Sequence, residues 1–286
     1  MKLTTDHNIL IVGLGVIGGG YAKALSKQGF AVRCITLNEE DIAYALEKGM
    51  IAEGRTSVDP TFVGEADLVI FALYPHVFLR WIETYQHLFK PGALITDVTG
   101  VKGQIVEKVQ GMLRSDVEFI AAHPMAGRER SGVLYSDDGV FHGANYIVTP
   151  TEKNTEEAIE ACKHLGELLG FRHISCLSVE EHDKMIAFLS QLTHCIAITL
   201  MTCNTEQGLE KYTGDSFRDL TRIAKINDEM WSELFLLNRD VLLAQMDAFS
   251  AEFGRLRTLL EKGDREGMRE MMRLSTFRRS LFDKMM

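Results

Sequence analysis

The sequence predicts an α/β fold: an N-terminal Rossmann-type doubly wound sheet followed by a C-terminal all-α domain. Three observations predict it. Over roughly the first 175 residues short apolar runs alternate with longer amphipathic ones, the pattern of βαβ units. A glycine triplet, Gly13, Gly15 and Gly18, follows the first of those runs. After about Ser178 the β-rich runs stop, proline is gone (the last is Pro150), and long helical stretches take over. The boundary expected on this basis divides residues 1–176 from residues 177–286, the second part serving substrate binding and dimerisation.

Taken in order, 8–13 (NILIVG) reads as a buried strand and 16–28 as a helix that Gly29 ends. A second strand, 31–37, leads to a helix over 39–48 ending at Gly49. The run 67–73 (DLVIFAL) is a third clear strand, and the helix over 77–89 stops at Pro91-Gly92. Further strands are expected at 93–98, 119–122, 146–148 and 171–176, with helices over 102–113 and 156–169 between them. The second part reads as helices over 180–207, 217–226, 228–262 and 266–284. A helix of ~35 residues would be ~50 Å long, more than one small domain covers. Its apolar positions, from Trp231 and Leu234 through Met246, Phe249 and Phe253 to Leu259, recur at helical spacing. We read them as a stripe shared with a second copy of the chain.

Composition narrows the function. The 286 residues are 46% hydrophobic, enough for a sizeable core, and the formal net charge is −9. An acidic surface argues against nucleic acid as the main partner, which needs a basic face. It says little about a small anion, which one local Arg can hold. The five cysteines form no C-x-x-C pair and read as reduced thiols. No signal-peptide pattern opens the chain and no membrane span is expected, so the expected location is the cytoplasm.

Gly13-Leu14-Gly15-Val16-Ile17-Gly18 is a G-x-G-x-x-G run after an apolar strand and at the start of a helix, the context that makes it a dinucleotide signature. Gly13 permits the tight turn, Gly15 lets a pyrophosphate approach the backbone, and Gly18 lets helix and strand pack closely. The helix N-terminus at Val16 and Ile17 offers N–H groups and a partial positive charge. The cofactor is NAD or NADP. The acidic residue expected at the end of the second strand is missing, since Thr36-Leu37-Asn38 stands there. Thr36 and Asn38 then face the adenosine ribose, and the lost repulsion against a 2′-phosphate leans the choice to NADP. Arg33 points to the opposite face of the strand.

His123 opens the segment after the strand 119–122, where ligands collect beyond the carboxyl ends of a doubly wound sheet. An imidazole there can exchange a proton near a nicotinamide, or it can merely order its loop.

The stretch HPMAGRERSGV (His123–Val133) resembles the signature loop of the prephenate dehydrogenase family, which includes arogenate dehydrogenases. TDVTGVKG (Thr96–Gly103), SVEEHDKMIAFLSQLTH (Ser178–His194) and FRDLTRIAKINDEMW (Phe217–Trp231) resemble further family segments in the same order. The resemblance implies oxidative decarboxylation of prephenate to 4-hydroxyphenylpyruvate in tyrosine biosynthesis, or of arogenate directly to tyrosine. It implies that His123 is the catalytic imidazole, that Arg222 grips a substrate carboxylate, and that His194 helps hold the substrate. Asp219, three residues before Arg222, would orient it. His182 and Asp183 match positions read as structural. Arg128 and Glu129 are expected near the cleft mouth, and Lys102 beside the cofactor or at a helix start.

Two positions depart from the family pattern. Gly100 stands where many members have a Ser, with Thr99 or a water as the replacement near the cofactor. Gln191 and Thr193 stand where a His and a Pro are usual, which leaves Gln191 as a non-titrating substrate contact. Neither a regulatory ACT domain nor a chorismate mutase domain is expected. A β-hydroxyacid dehydrogenase or a pyrroline-carboxylate reductase would share the plan but lacks the His-Pro loop, and Lys184 and Lys225 lie in no matching motif. A non-catalytic nicotinamide-binding redox regulator would not need His123 and Arg222 together. No metal site is expected.

Overall fold

The computed structural model describes residues 2–127 and 130–283. Six strands, β1 (Ile9–Val12), β2 (Val32–Ile35), β3 (Glu53–Arg55), β4 (Leu68–Phe71), β5 (Leu94–Asp97) and β6 (Glu118–Phe119), form one parallel sheet in the order 3-2-1-4-5-6. β1 and β4 are buried at every position, as central strands of a sheet covered on both faces must be. Helices α1 (Val16–Lys27), α2 (Glu39–Glu47), α3 (Pro60–Gly64), α4 (Pro75–Tyr85) and α5 (Gly103–Met112) connect them. The two cores lie on opposite faces. Ile9 and Ile11 of β1 pack with Tyr21 and Leu25 of α1, and Leu10 and Val12 pack with Phe78 and Trp81 of α4 and Ile105 of α5. The strand order reverses between β1 and β4, so the crevice of a doubly wound sheet opens beyond Val12 and Phe71.

The expected strand over 119–122 is divided. β6 closes the parallel sheet, and β7 (Ala121–Pro124) belongs to a second, three-stranded sheet with β8 (Asn145–Thr149) and β9 (His173–Cys176), antiparallel to β8. α6 (Glu156–Leu168) joins β8 to β9 by the right length for a parallel crossover. β3 and α3 were not foreseen, because GRTSVDPTFVG carries too few apolar residues to show a period. Asp59 caps α3 by accepting from Thr61 and Phe62 N–H, and Pro60 sits at its first position.

Ser178 and Glu181 form a reciprocal capping box at the start of α7 (Val179–Ile186). The expected helix 180–207 continues through a π-helical segment, Ala187–Leu192, into α8 (Thr193–Thr202), and stops there. By length and composition Val179–Thr202 holds an 18-residue window apolar enough to cross a membrane, with a mean hydropathy of 1.6. That corrects the expectation of no such run; the apolar character comes from Met185 onward, after a charged first turn. The helix expected over 217–226 is shorter, α9 (Asp215–Thr221), and passes into a 3-10 turn at Arg222–Ala224.

The single helix expected over 228–262 is two: α10 (Asp228–Leu237) and α11 (Arg239–Glu261). Asn238 leaves helical geometry (φ −117°, ψ 26°). Its buried amide donates instead to the Asp183 carbonyl at 3.0 Å and to Gln191 Oε1 at 2.7 Å. Two buried hydrogen bonds outweigh the one helical turn they interrupt.

Two compact units result, residues 1–238 and 239–286. In the second, α11 and α12 (Arg265–Ser280) form a hairpin whose turn uses Gly263 (φ 66°) and whose second helix is capped by Asp264. Phe253, Leu260 and Phe277 of this unit are 64%, 68% and 65% exposed.

Candidate active site

The glycine turn is built as its spacing requires. Gly13 has φ 97°, and a Cβ there would meet the Ala72 carbonyl oxygen at 2.4 Å. A Cβ on Gly18 would meet the Gly13 oxygen at 2.0 Å. Gly15 differs: nothing lies within 4 Å of its Cβ direction. It is the N-cap of α1, offers no side chain to the first N–H groups, and no acidic residue occupies the first turn. The N–H groups of Val16, Ile17 and Gly18 precede the first possible intrahelical acceptor, so a helix end faces open space without its own anion. A pyrophosphate fits that cradle.

At the far end of β2 the Thr36 N–H is held by the Arg55 carbonyl at 3.0 Å. Thr36 is half-buried, Asn38 is exposed, and Leu37 between them is 93% exposed. Arg33 turns away to Glu65 and the Phe62 ring, as its register predicts. Arg55 is engaged by Glu53.

Around His123 the structure is dense. Lys102 has no exposed side-chain surface and donates to Asp97 Oδ2 at 2.7 Å and to the Ala122 carbonyl at 2.6 Å. Asp97 Oδ1 accepts the Ala122 N–H at 3.1 Å. This ion pair therefore satisfies both backbone groups of the residue before His123, on the side of β7 that no strand covers. Burial pulls the Lys102 ammonium below its ordinary range against the pull of Asp97. Thr99 was expected near the cofactor, or in place of the missing Ser. Its hydroxyl is instead bonded to Asp97, the Val101 carbonyl and Lys102. It braces the ion pair and is buried.

His123 Nδ1 lies 2.9 Å from His182 Nε2, and His182 Nδ1 lies 2.8 Å from Asp183 Oδ1. Asp183 also accepts the backbone N–H groups of Lys102 at 2.8 Å and Gly103 at 2.7 Å, the start of α5. Burial first, then His182 and Lys102, push the His123 imidazole well below its ordinary range. It is neutral at neutral pH. His123 Nε2 lies 4.0 Å from the point where a Cβ on Gly100 would stand.

On the helical side His194 donates from Nδ1 to the Ser190 carbonyl at 2.8 Å and stacks on Trp231 at 3.7 Å between centroids. α8 packs against the turn that Arg222 opens. Arg222 and Asp219 are exposed; Asp219 belongs to α9 and Arg222 to the following turn, so the shared helical face expected for them is interrupted. Gln191 is buried, donates to the Leu234 carbonyl at 2.9 Å and accepts from Asn238. Both ends of its amide tie α10 in place. Arg128 and Glu129 lie outside the described residues. Sequence reasoning missed Trp231 as a partner of His194, and missed Gly19 and Gly20. A Cβ on Gly19 would meet Ser136, and one on Gly20 would meet Phe141, at 2.8 Å each. Ser136 and Phe141 therefore pack directly on α1.

His123 was expected after a strand of the parallel sheet, but it lies within β7, opposite Ile147 on the edge of the second sheet, because the chain leaves the parallel sheet after β6. A glycine turn shaped for pyrophosphate and a neutral imidazole on that edge strand define a nicotinamide-dependent oxidoreductase. The models of two prephenate dehydrogenase domains match the chain: the nucleotide-binding domain over residues 21–175 and the dimerization domain over residues 178–274. Over 269 residues the chain is 34% identical to a prephenate dehydrogenase of Bacillus subtilis, covering 91% of this chain and 72% of that one. It is 28% identical over 271 residues to a cyclohexadienyl dehydrogenase of Zymomonas mobilis, covering 92% and 91%. The crystal structure of prephenate dehydrogenase from A. aeolicus in complex with hydroxyphenyl propionate and NAD+ superposes with a TM-score of 0.90 at 30% identity, covering 99% of this chain and all of that one. The chain belongs to the prephenate dehydrogenase family.

Proposed function

We propose that the chain oxidises and decarboxylates prephenate to 4-hydroxyphenylpyruvate, a step toward tyrosine. The observation that carries this is the placement of His123 in β7, next to a residue whose backbone is held by a buried ion pair and with its Nδ1 bonded to His182, in a chain whose relatives bear that name. Gly13, Gly15 and the N–H groups at Val16–Gly18 hold the dinucleotide, which when bound accepts hydride from the ring carbinol carbon. His123 takes the hydroxyl proton on Nε2. The ring–carboxylate bond then breaks, its electron pair enters the ring as carbon dioxide leaves, and the phenolate oxygen recovers the proton from His123. Arg222 grips a substrate carboxylate with a planar fork, and His194, braced by Trp231, bonds the substrate from the helical side.

Support for the dinucleotide type is mixed at Thr36, which repels neither NAD nor NADP. Glu39, Glu40 and Asp41 crowd the first turn of α2, the exposed Leu37 beside Thr36 supplies no cation, and Arg33 and Arg55 are engaged elsewhere. These charges favour NAD over the NADP that the missing carboxylate alone suggested. The residues from 177 onward act as the substrate-binding and dimerisation part. The exposed apolar faces of Val179–Thr202 and of the α11–α12 hairpin support a homodimer.

The test is steady-state turnover of prephenate and of arogenate, each with NAD and with NADP. Prephenate with NAD is expected to be fastest; no turnover in all four combinations overturns the assignment. His123→Asn is expected to lose about 10²–10⁴-fold in kcat. The depressed His123 also sets a sign. A ring that stays neutral below its ordinary pKa keeps its acceptor as pH falls, so the acid limb of kcat/KM lies below about pH 6.5.

A further inference from the structure

The geometry points to Asp183 and His182 as positioning residues that fix the tautomer of His123, leaving Nε2 as the proton acceptor. The inference rests on the reading of His123 as the base and adds how the chain prepares it. The chain of atoms has one consistent proton assignment. Asp183 Oδ1 and Oδ2 already accept the N–H groups of Lys102 and Gly103, so the group acts as a carboxylate acceptor at the start of α5. Across 2.8 Å, His182 Nδ1 must therefore donate to it.

Burial lowers the His182 imidazole against the opposing pull of Asp183, so one ring nitrogen carries the proton, and that nitrogen is Nδ1. Nε2 of His182 is then a lone pair. It faces His123 Nδ1 at 2.9 Å, which must supply the proton between them. A neutral His123 with hydrogen on Nδ1 presents its only ring lone pair at Nε2, on the side of Gly100.

The charged and titratable groups packed about the pair all hold this polarity. Lys102 and Asp97 lie on the β5–α5 segment, and Asp183 lies on α7 itself. Lys102 is bonded to the Ala122 carbonyl rather than to either ring. The relay also gives two otherwise structural residues a shared purpose. Asp183 is pinned on three sides, since its carboxylate accepts two backbone N–H groups and its own carbonyl accepts from the Asn238 side-chain amide. It therefore transmits a rigid reference from α5, α7 and Asn238 to the ring of His123. A carboxylate that fixes an imidazole tautomer is worth about 10⁴-fold in turnover where it has been replaced by an amide.

The test combines a spectrum with two variants. Nitrogen-15 NMR of histidine-labelled protein, without cofactor, is expected to show His123 protonated on Nδ1 and bare on Nε2 near pH 7.5, with its signals assigned by loss in His123→Asn. A His123 protonated on Nε2 overturns the proposal, whatever the enzyme turns over. His182→Gln keeps an acceptor oxygen toward His123 Nδ1 and is expected to preserve the tautomer and keep kcat within about tenfold. His182→Leu has no acceptor, and is expected to lose the Nδ1-protonated signal and at least about 10²-fold in kcat, with KM little changed. Equal turnover in the two variants overturns the proposal. An Nδ1-protonated His123 in a chain that turns over neither substrate would sink the activity reading and leave the relay standing.

Discussion

His123 and Arg222 are prepared in opposite ways. His123 stands at the end of a strand whose preceding residue has both backbone groups bound by a fully buried ion pair, and its ring is bonded to a second buried imidazole. Arg222 is exposed on a three-residue turn after a seven-residue helix. The difference teaches where precision is spent. A proton acceptor must meet one hydroxyl within hydrogen-bond reach, so its position is over-determined. On the role proposed for it, Arg222 recognises a carboxylate by charge and a planar fork, which an exposed position allows.

The largest effect should come from breaking the rigid side at its root. Lys102→Met leaves the Asp97 carboxylate buried without its cation, a loss of about 3–5 kcal/mol. For a chain of this size that lowers Tm by on the order of 10 °C. Differential scanning calorimetry checks it. An unchanged Tm would mean that the end of β5 and the start of β7 are not locked by this pair, and the contrast with Arg222 would fail.

Arg222→Gln probes the other side and should behave differently. Charge-assisted hydrogen bonds are worth about 1.5–3 kcal/mol, so KM for prephenate should rise about 10–100-fold. Tm should shift far less than in Lys102→Met, because interactions of an exposed side chain are worth little to the fold. A fall in kcat with KM unchanged would show that the guanidinium acts on the reacting atoms and not on binding.

The same contrast explains what the sequence made legible. The parallel sheet and the glycine turn were readable because central strands are continuous apolar runs and a pyrophosphate turn has a fixed glycine spacing. The Asp97–Lys102 pair was not, because TDVTGVKG places the two five residues apart on a strand end and a helix start, and only the fold brings Nζ back to β7. Gln191 was read as a substrate contact, yet its amide is committed to Leu234 and Asn238, a partnership across 47 residues that no local pattern announces. The break at Asn238 was hidden for the same reason: the apolar spacing of 228–262 continues through it. Edge strand β3 was missed because its three residues, Glu53-Gly54-Arg55, are polar or small.

Gly100 tests the contrast most finely, because it adjoins the rigid side and yet is open. Its φ lies outside the left-handed region, and a Cβ there would touch only Leu234 methyls at 3.6 and 3.7 Å and His123 Nε2 at 4.0 Å. These are ordinary contacts, so Gly100→Ser should fold with Tm unchanged or slightly raised, since a side chain restricts the unfolded backbone. The new hydroxyl lies within reach of Nε2 and can donate to its lone pair, which favours the neutral ring. The acid limb of kcat/KM should therefore move to still lower pH. A large drop in Tm would mean that the space beside His123 is needed by the packing around Leu234. An acid limb that moves upward would mean that Nε2 does not face this position, and the preparation of the base would have to be argued anew.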